Sequence, residues 1–395
     1  MSMWRSWALS GAIALLAVMT VAAQAPAGGQ GGRAGGQGPG AAGGLGPGFG
    51  GKTPTALRAI AAETTAAKVK DPHWRAPKTA WGHPDLAGVW TSDDMRSVQM
   101  SRAPQYGTRE SLTADEFTRR ASGDEGSRDR AVNQETILRN EFGVRTFGYT
   151  SFVVDPPNGQ LPAMTPAGRA RAANRDAGTF GPGPFDTFED FTLYDRCITR
   201  GIVGSVLPVP YGNGNRIVQA PGLVVISYEM VHDTRVIYTD GRPHVGQGLR
   251  QYLGDSRGRW DGNTLIVETT NLTDKTSIGA NGNGLRHSAD MKMTERITRV
   301  GHDVLQYEIT VEDPKTYAKP FTISMPLTPL RGDVLLPYEC HEGNYGLPNA
   351  LSAERAEDRA IEEDRKNGII RARRAIQVAV PNRPEAPAVE GAPER

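Results

Sequence analysis

Three places in this 395-residue chain carry side chains able to move a proton or grip a polar group. Asp240-Gly241-Arg242-Pro243-His244 sets a carboxylate, a guanidinium and an imidazole within one turn-forming stretch. His341-Glu342 follows Cys340 directly, with Tyr345 just beyond. Three carboxylates, Glu229, Glu268 and Glu295, stand in runs that otherwise alternate apolar residues. An imidazole beside a carboxylate suits general acid–base work, and a carboxylate enclosed by apolar groups is made a better proton donor by desolvation. Gly254-Asp255-Ser256-Arg257-Gly258-Arg259-Trp260 adds two arginines beside an indole, a set that can clamp a carboxylate or stack on a sugar ring. The catalytic candidates are therefore His244, His341, Asp240 and Glu342. The ligand-contact candidates are Arg242, Arg257, Arg259, Trp260, Glu229, Glu268, Glu295 and Tyr345. Each has a plainer alternative: Asp240 and Gly241 shaping a turn with His244 solvated, or the carboxylates solvated at strand ends and paired with Arg296, Arg299 or Arg257.

Several chemistries are not signalled. The chain has no His-x-His, His-Glu-x-x-His or paired Cys-x-x-Cys, so no metal is implied, and Ser256 is not in a nucleophile elbow. Glycine spacings in residues 24–51 have no flanking strand, helix or Gly-Lys-Ser/Thr, so no nucleotide or other cofactor is implied. Lys and Arg number 45 against 44 Asp and Glu, which leaves no electrostatic footprint for nucleic acid or an anionic membrane surface. The partner implied is a small molecule; the oligomeric state stays open.

The elements that must position these residues follow from patterning. Residues 1–23 carry Arg5, an apolar run and a small-residue Val21-Ala22-Ala23, which reads as a secretory signal peptide, with a retained anchor as the alternative. Residues 24–52 form a Gly-rich tether and 378–395 a Pro/Ala/Glu tail, both too poor in apolar groups to order themselves. A periplasmic or secreted location follows, with no integral span once the signal is removed. In that oxidising setting Cys197 and Cys340 read as a structural disulfide, which would bring the His341 segment and the His244 turn to one site. Residues 53–377 remain as one domain. Period-two alternation between Ile217 and Val311 predicts strands at Leu223–Glu229, Arg235–Tyr238, Thr264–Thr269, 291–297 and 305–311, with a hairpin turn at Trp260-Asp261-Gly262-Asn263. Helices are expected at Leu112–Ser122 behind Thr113, at Pro166–Ala177 behind Thr165, and at Ser352–Asn367 stopped by Gly368. Many strands with short turns and few, peripheral helices predict a mainly β fold, an antiparallel barrel.

The blocks Gly82–Trp90, Tyr238–His244, Gly254–Trp260, Thr264–Asn271 and Tyr338–Tyr345 resemble those of a large family of uncharacterised exported proteins of soil and aquatic bacteria. Gly88-Val89-Trp90 is also similar to the Gly-x-Trp of the first lipocalin strand, which implies a lipocalin-like barrel holding a small apolar or amphipathic molecule. The leading expectation is accordingly a small-molecule binding protein. The alternatives are a periplasmic hydrolase, lyase or isomerase with a His/carboxylate site at the barrel mouth, and a structural envelope protein.

Overall fold

The computed structural model describes residues 74–95, 98–117, 119–120, 148–173, 185–209, 212–279, 284–330 and 334–373. The expected signal peptide, tether and tail lie outside these residues.

The described residues include twelve strands: β1 (Gly88–Thr91), β2 (Val153–Asp155), β3 (Gly214–Ala220), β4 (Leu223–Tyr228), β5 (Thr234–Tyr238), β6 (Asp255–Asp261), β7 (Thr264–Thr270), β8 (Ser277–Ile278), β9 (Leu285–Arg286), β10 (Lys292–Gly301), β11 (Val304–Glu312) and β12 (Phe321–Pro329). Nine of them close a barrel in the order β1-β3-β4-β5-β6-β7-β10-β11-β12, with β12 pairing back onto β1. β2 extends the sheet from the flank of β12, and β8 pairs with β9 alone. Closure removes the free edges that an open sheet would expose. The mainly β barrel expected from the alternation is the fold found, with one exception to its antiparallel pattern: β5 and β6 are parallel and share the single ladder pair Tyr238↔Arg257.

Alternation explains the core. Met293, Glu295 and Ile297 of β10 face inward with Leu305, Tyr307, Ile309 and Val311 of β11 and Phe321, Ile323, Met325 and Leu327 of β12, while Lys292 and Arg296 point to solvent. Leu265, Val267, Glu295, Leu305, Ile309, Val311, Ile323 and Met325 keep 0% of their surface, so no space the size of a water molecule borders them. That side of the barrel is solid. The β6–β7 hairpin is made as the sequence predicts, with Gly262 at φ 56° in the two-residue link between Asp261 and Thr264.

Both barrel ends are covered. At one, the strap through Leu86 is laced down by Gln219, whose side chain accepts from Leu86 N at 2.7 Å and donates to the Pro84 carbonyl at 3.0 Å. His83 stacks on Trp260 with ring centroids 4.9 Å apart, and Trp90 Nε1 donates to the Leu86 carbonyl at 3.0 Å. At the other end lies α2 (Gly201–Val206), every residue of which is buried. It packs on β8 and places Ile202, Val203 and Val206 in the same core as the barrel strands. This helix was not among those expected from the sequence: it is short and apolar all round, so it has no amphipathic period to read. Of the surface helices, α1 (Pro166–Ala173) starts as expected, with Thr165 Oγ1 accepting from Gly168 N at 3.0 Å. Residues 114–117 and 119–120 are helical behind Thr113, which exchanges bonds with Glu116 as a capping box. α3 (Gly346–Lys366) begins earlier than expected.

Candidate functional site

The polar residues of the barrel gather on the two faces of the β5–β6 junction. On the inner face, β5 presents Arg235, which grips Glu295 of β10 through two bonds, Nη1 to Oε2 at 2.6 Å and Nη2 to Oε1 at 2.8 Å. The Tyr307 hydroxyl donates to Glu295 Oε1. Thr269 Oγ1 donates to Oε2 at 3.4 Å, and since its proton is used there, Ser256 donates to Thr269 across 2.9 Å. Both ions are buried, and a charge so placed must be paired. Burial alone would lower the Arg235 pKa, but the Glu295 carboxylate outweighs it and the guanidinium is held well above its usual value. Burial likewise pushes the Tyr228 and Tyr307 hydroxyls above the usual tyrosine range, so both stay protonated.

Beside this network three polar atoms lack a protein partner. They are the Tyr228 hydroxyl on β4, Asn215 Oδ1 on β3 and Arg235 Nε on β5. Asn215 stands directly opposite Tyr228 in the ladder, and Arg235 is opposite Ile226, so all three share the inward face of adjacent strands. The amide of Asn215 is oriented by its Nδ2, which donates to the Asn213 carbonyl at 2.8 Å and leaves Oδ1 directed elsewhere.

On the outer face, the loop between β5 and β6 carries His244. Its Nδ1 lies 2.7 Å from Asp255 Oδ2; an ionised carboxylate can only accept, so Nδ1 donates to it. Asp255 also accepts from Val245 N at 3.1 Å and pairs with Arg257 at 2.6 Å, and Arg257 Nε donates to the Pro243 carbonyl at 2.8 Å. Arg242 stacks 3.8 Å over the Tyr238 ring, while its guanidinium pairs with Asp240 at 2.6 Å. The loop is fastened by Asn271, at φ 58°, whose Nδ2 donates to the carbonyls of Val245, Gly246 and Leu249 at 3.2, 2.9 and 3.1 Å.

The structure brings together only part of the set named from sequence. Cys197 and Cys340 form the expected disulfide. The strap it anchors, however, is held at the Tyr228 end of the β4–β5 hairpin, where Glu229 accepts from Gly214 N and Leu336 N, each at 2.9 Å, and His232 Nε2 accepts from Tyr338 N at 3.0 Å. The His244 loop leaves from the Tyr238 end. His341, Glu342 and Tyr345 are exposed, and among the described residues none of them bonds to His244 or Asp240, so the four-residue catalytic set does not assemble. Glu229 is buried but serves as an anchor for backbone. Glu268 faces outward with Arg259, 3.9 Å away, because it shares a face with Ile266 on the outer side of β7. Arg257, Arg259 and Trp260 form no clamp: Gly254–Trp260 is largely strand β6, and period two sends the arginines outward and Trp260 toward the mouth. Glu295 alone is a barrel-interior carboxylate, with Arg235 as partner in place of Arg296, Arg299 or Arg257.

Sequence reasoning missed Arg235, Tyr228, Asn215 and Tyr307 inside, and Asp255 outside. Arg235 and Tyr307 had a signal, since each occupies the apolar phase of its alternating run. Among the described residues no cluster of His, Cys, Asp or Glu is placed to hold a metal ion, and no helix is long and apolar enough to cross a membrane. Compared with protein-family profiles, with curated proteins and with solved structures, the chain matches none.

Proposed function

We propose that this chain is an exported protein that takes one small apolar or amphipathic molecule into its barrel, with the polar end of that molecule against β3, β4 and β5. One observation carries this reading: the Tyr228 hydroxyl, Asn215 Oδ1 and Arg235 Nε, buried polar atoms without a protein partner, share the inward face of three adjacent strands. Leaving a buried donor or acceptor unpaired costs stability, so a fold that keeps three together is suited to a ligand that completes them. Room for the ligand comes from the β5–β6 junction, where one ladder pair holds the wall and the strands on either side can part more cheaply than elsewhere. Export is supported by the leader-like amino terminus and by the disulfide. Mass spectrometry of protein purified from its own host, extracted under denaturing conditions, should find one small molecule in near-equal amount to the chain. Protein that is repeatedly empty overturns the reading.

The enzyme alternative is favoured by the His244–Asp255 pair, in which the carboxylate orients the imidazole on a well-fastened loop. In that case His244→Gln and Asp255→Asn would each abolish a measured turnover and leave the melting temperature within a few degrees of the parent.

A further inference from the structure

We infer that residues 375–380 of this chain lie against β5 as an added strand, paired with the backbone of Thr234 and Val236 on the side where β6 leaves the ladder. The inference goes beyond the binding reading and needs no bound molecule.

β5 has one satisfied edge and one open one. Tyr228 N donates to the Asp233 carbonyl and Thr239 N to the Gly222 carbonyl, so the odd-numbered residues of β5 are the ones that exchange bonds with β4. The N–H and C=O groups of Thr234, Val236 and Tyr238 therefore point the other way. Tyr238 meets Arg257 of β6, and Thr234 and Val236 make no ladder pair on that side. Both residues are exposed, Val236 keeping 42% of its surface, so an incoming chain can reach them. Outward, Val236 continues a row of valines, standing opposite Val225, which stands opposite Val218. A strand edge with open backbone groups beside an apolar outer face is a template for one more strand.

The chain carries a segment that fits. Ala375-Ile376-Gln377-Val378-Ala379-Val380 has no charge, sets a β-branched residue at every second position and is stopped by Pro381. Ile376, Val378 and Val380 match the valine row outside. Ala375, Gln377 and Ala379 then take the inward phase, two alanines about one amide, which need little room where the Arg235–Glu295 pair already fills the interior. A tail too poor in apolar groups to order itself is ordered by an edge that gives it bonds.

The last described residues also lead there. Arg373 is held by Glu354 at 2.7 Å, by Asp358, and by Asp186 at 4.0 Å. Asp186 opens a segment that reaches Thr199, whose hydroxyl donates to Asp233, the residue before β5. That segment is doubled back, with Phe185 stacked on Phe191 at 4.6 Å and Ile198 N bonded to the Leu193 carbonyl at 2.8 Å. Seven residues, 374–380, reach about 23 Å when extended. Entering at Thr234, the tail runs parallel to β5, as β6 does, and one of its residues bonds both the Thr234 carbonyl and the Val236 N–H.

Hydrogen exchange by mass spectrometry on the full chain and its Val378→Pro variant tests this, since proline removes a ladder donor from the tail. Peptides spanning Thr234–Ile237 should exchange about ten-fold faster in the variant, with Lys292–Glu312 unchanged and both proteins monomeric by light scattering. Val378→Ile should keep the parent's rate. Equal rates at Thr234–Ile237 in the parent and Val378→Pro would overturn the inference. Faster exchange throughout the barrel would make the tail a support of the whole fold, and would overturn it as well. A dimeric parent with a monomeric Val378→Pro variant would assign the edge to the tail of a second copy, and would overturn pairing within one chain.

Discussion

At the scale of single residues, the buried Arg235–Glu295 pair makes the sharpest demand on the barrel. Glu295→Gln leaves a guanidinium enclosed without a counter-charge, and the expected loss in urea unfolding is about 3–5 kcal/mol. Replacing both partners, as Arg235→Met with Glu295→Leu, should recover much of that loss, since an apolar pair needs no compensation; a double variant as unstable as the single one would refute the account. Tyr228→Phe should gain about 1–3 kcal/mol in the unliganded protein by removing an unpaired hydroxyl. His287 sets an acid limit. Its Nδ1 donates to the Ser288 carbonyl at 2.9 Å and its Nε2 accepts from the Thr276 hydroxyl at 2.6 Å, so the folded ring is neutral. Burial lowers its pKa, against the opposing pull of the Ser288 carbonyl and Asp313. Below the ordinary histidine value of about 6.5 the unfolded chain takes up a proton that the folded ring refuses, so this contribution is complete above that pH and is lost as pH falls. Urea midpoints of the parent should therefore drop between pH 6.5 and 5 more steeply than those of His287→Gln.

At the scale of elements, the junction of β5 and β6 separates this barrel from a uniformly laddered one. β10 and β11 pair along their whole length, whereas β5 meets β6 once. Gly258 permits the approach that exists: a Cβ there would lie 2.8 Å from Thr239 Cγ2 and 2.9 Å from Ile237 Cγ2. Hydrogen exchange should run faster through β5 and the start of β6 than through β10 and β11, because fewer ladder bonds must break for local opening. Equal protection across the two regions would remove the junction as the place where the wall gives. Outside it, the His244 loop is one long connection with no regular structure, yet Asn271, Asp255 and Arg257 fasten its backbone at several points. Loops of that length inside a domain are commonly functional.

At the scale of the whole molecule, the Cys197–Cys340 bridge joins residues 143 apart and holds the carboxyl-terminal strap against the end of the barrel that α2 plugs. Loop-closure entropy puts its contribution at about 4–5 kcal/mol, and Cys197→Ser with Cys340→Ser should show a loss of that order in urea. The sequence alone determined the strands: alternation at period two is a local property, and it specified β4, β5, β7, β10 and β11, the Asp-Gly hairpin and the helix caps. It also settled the disulfide, because only two cysteines were present to pair. Tertiary structure decided which residues meet. Arg235 and Glu295 are sixty positions apart, and His244 finds Asp255 only because β6 runs parallel to β5. The same alternation that made Glu268 look like an interior carboxylate applies equally to both faces of a strand; which face is inside depends on where the neighbouring strands close, and closure is a property of the whole sheet.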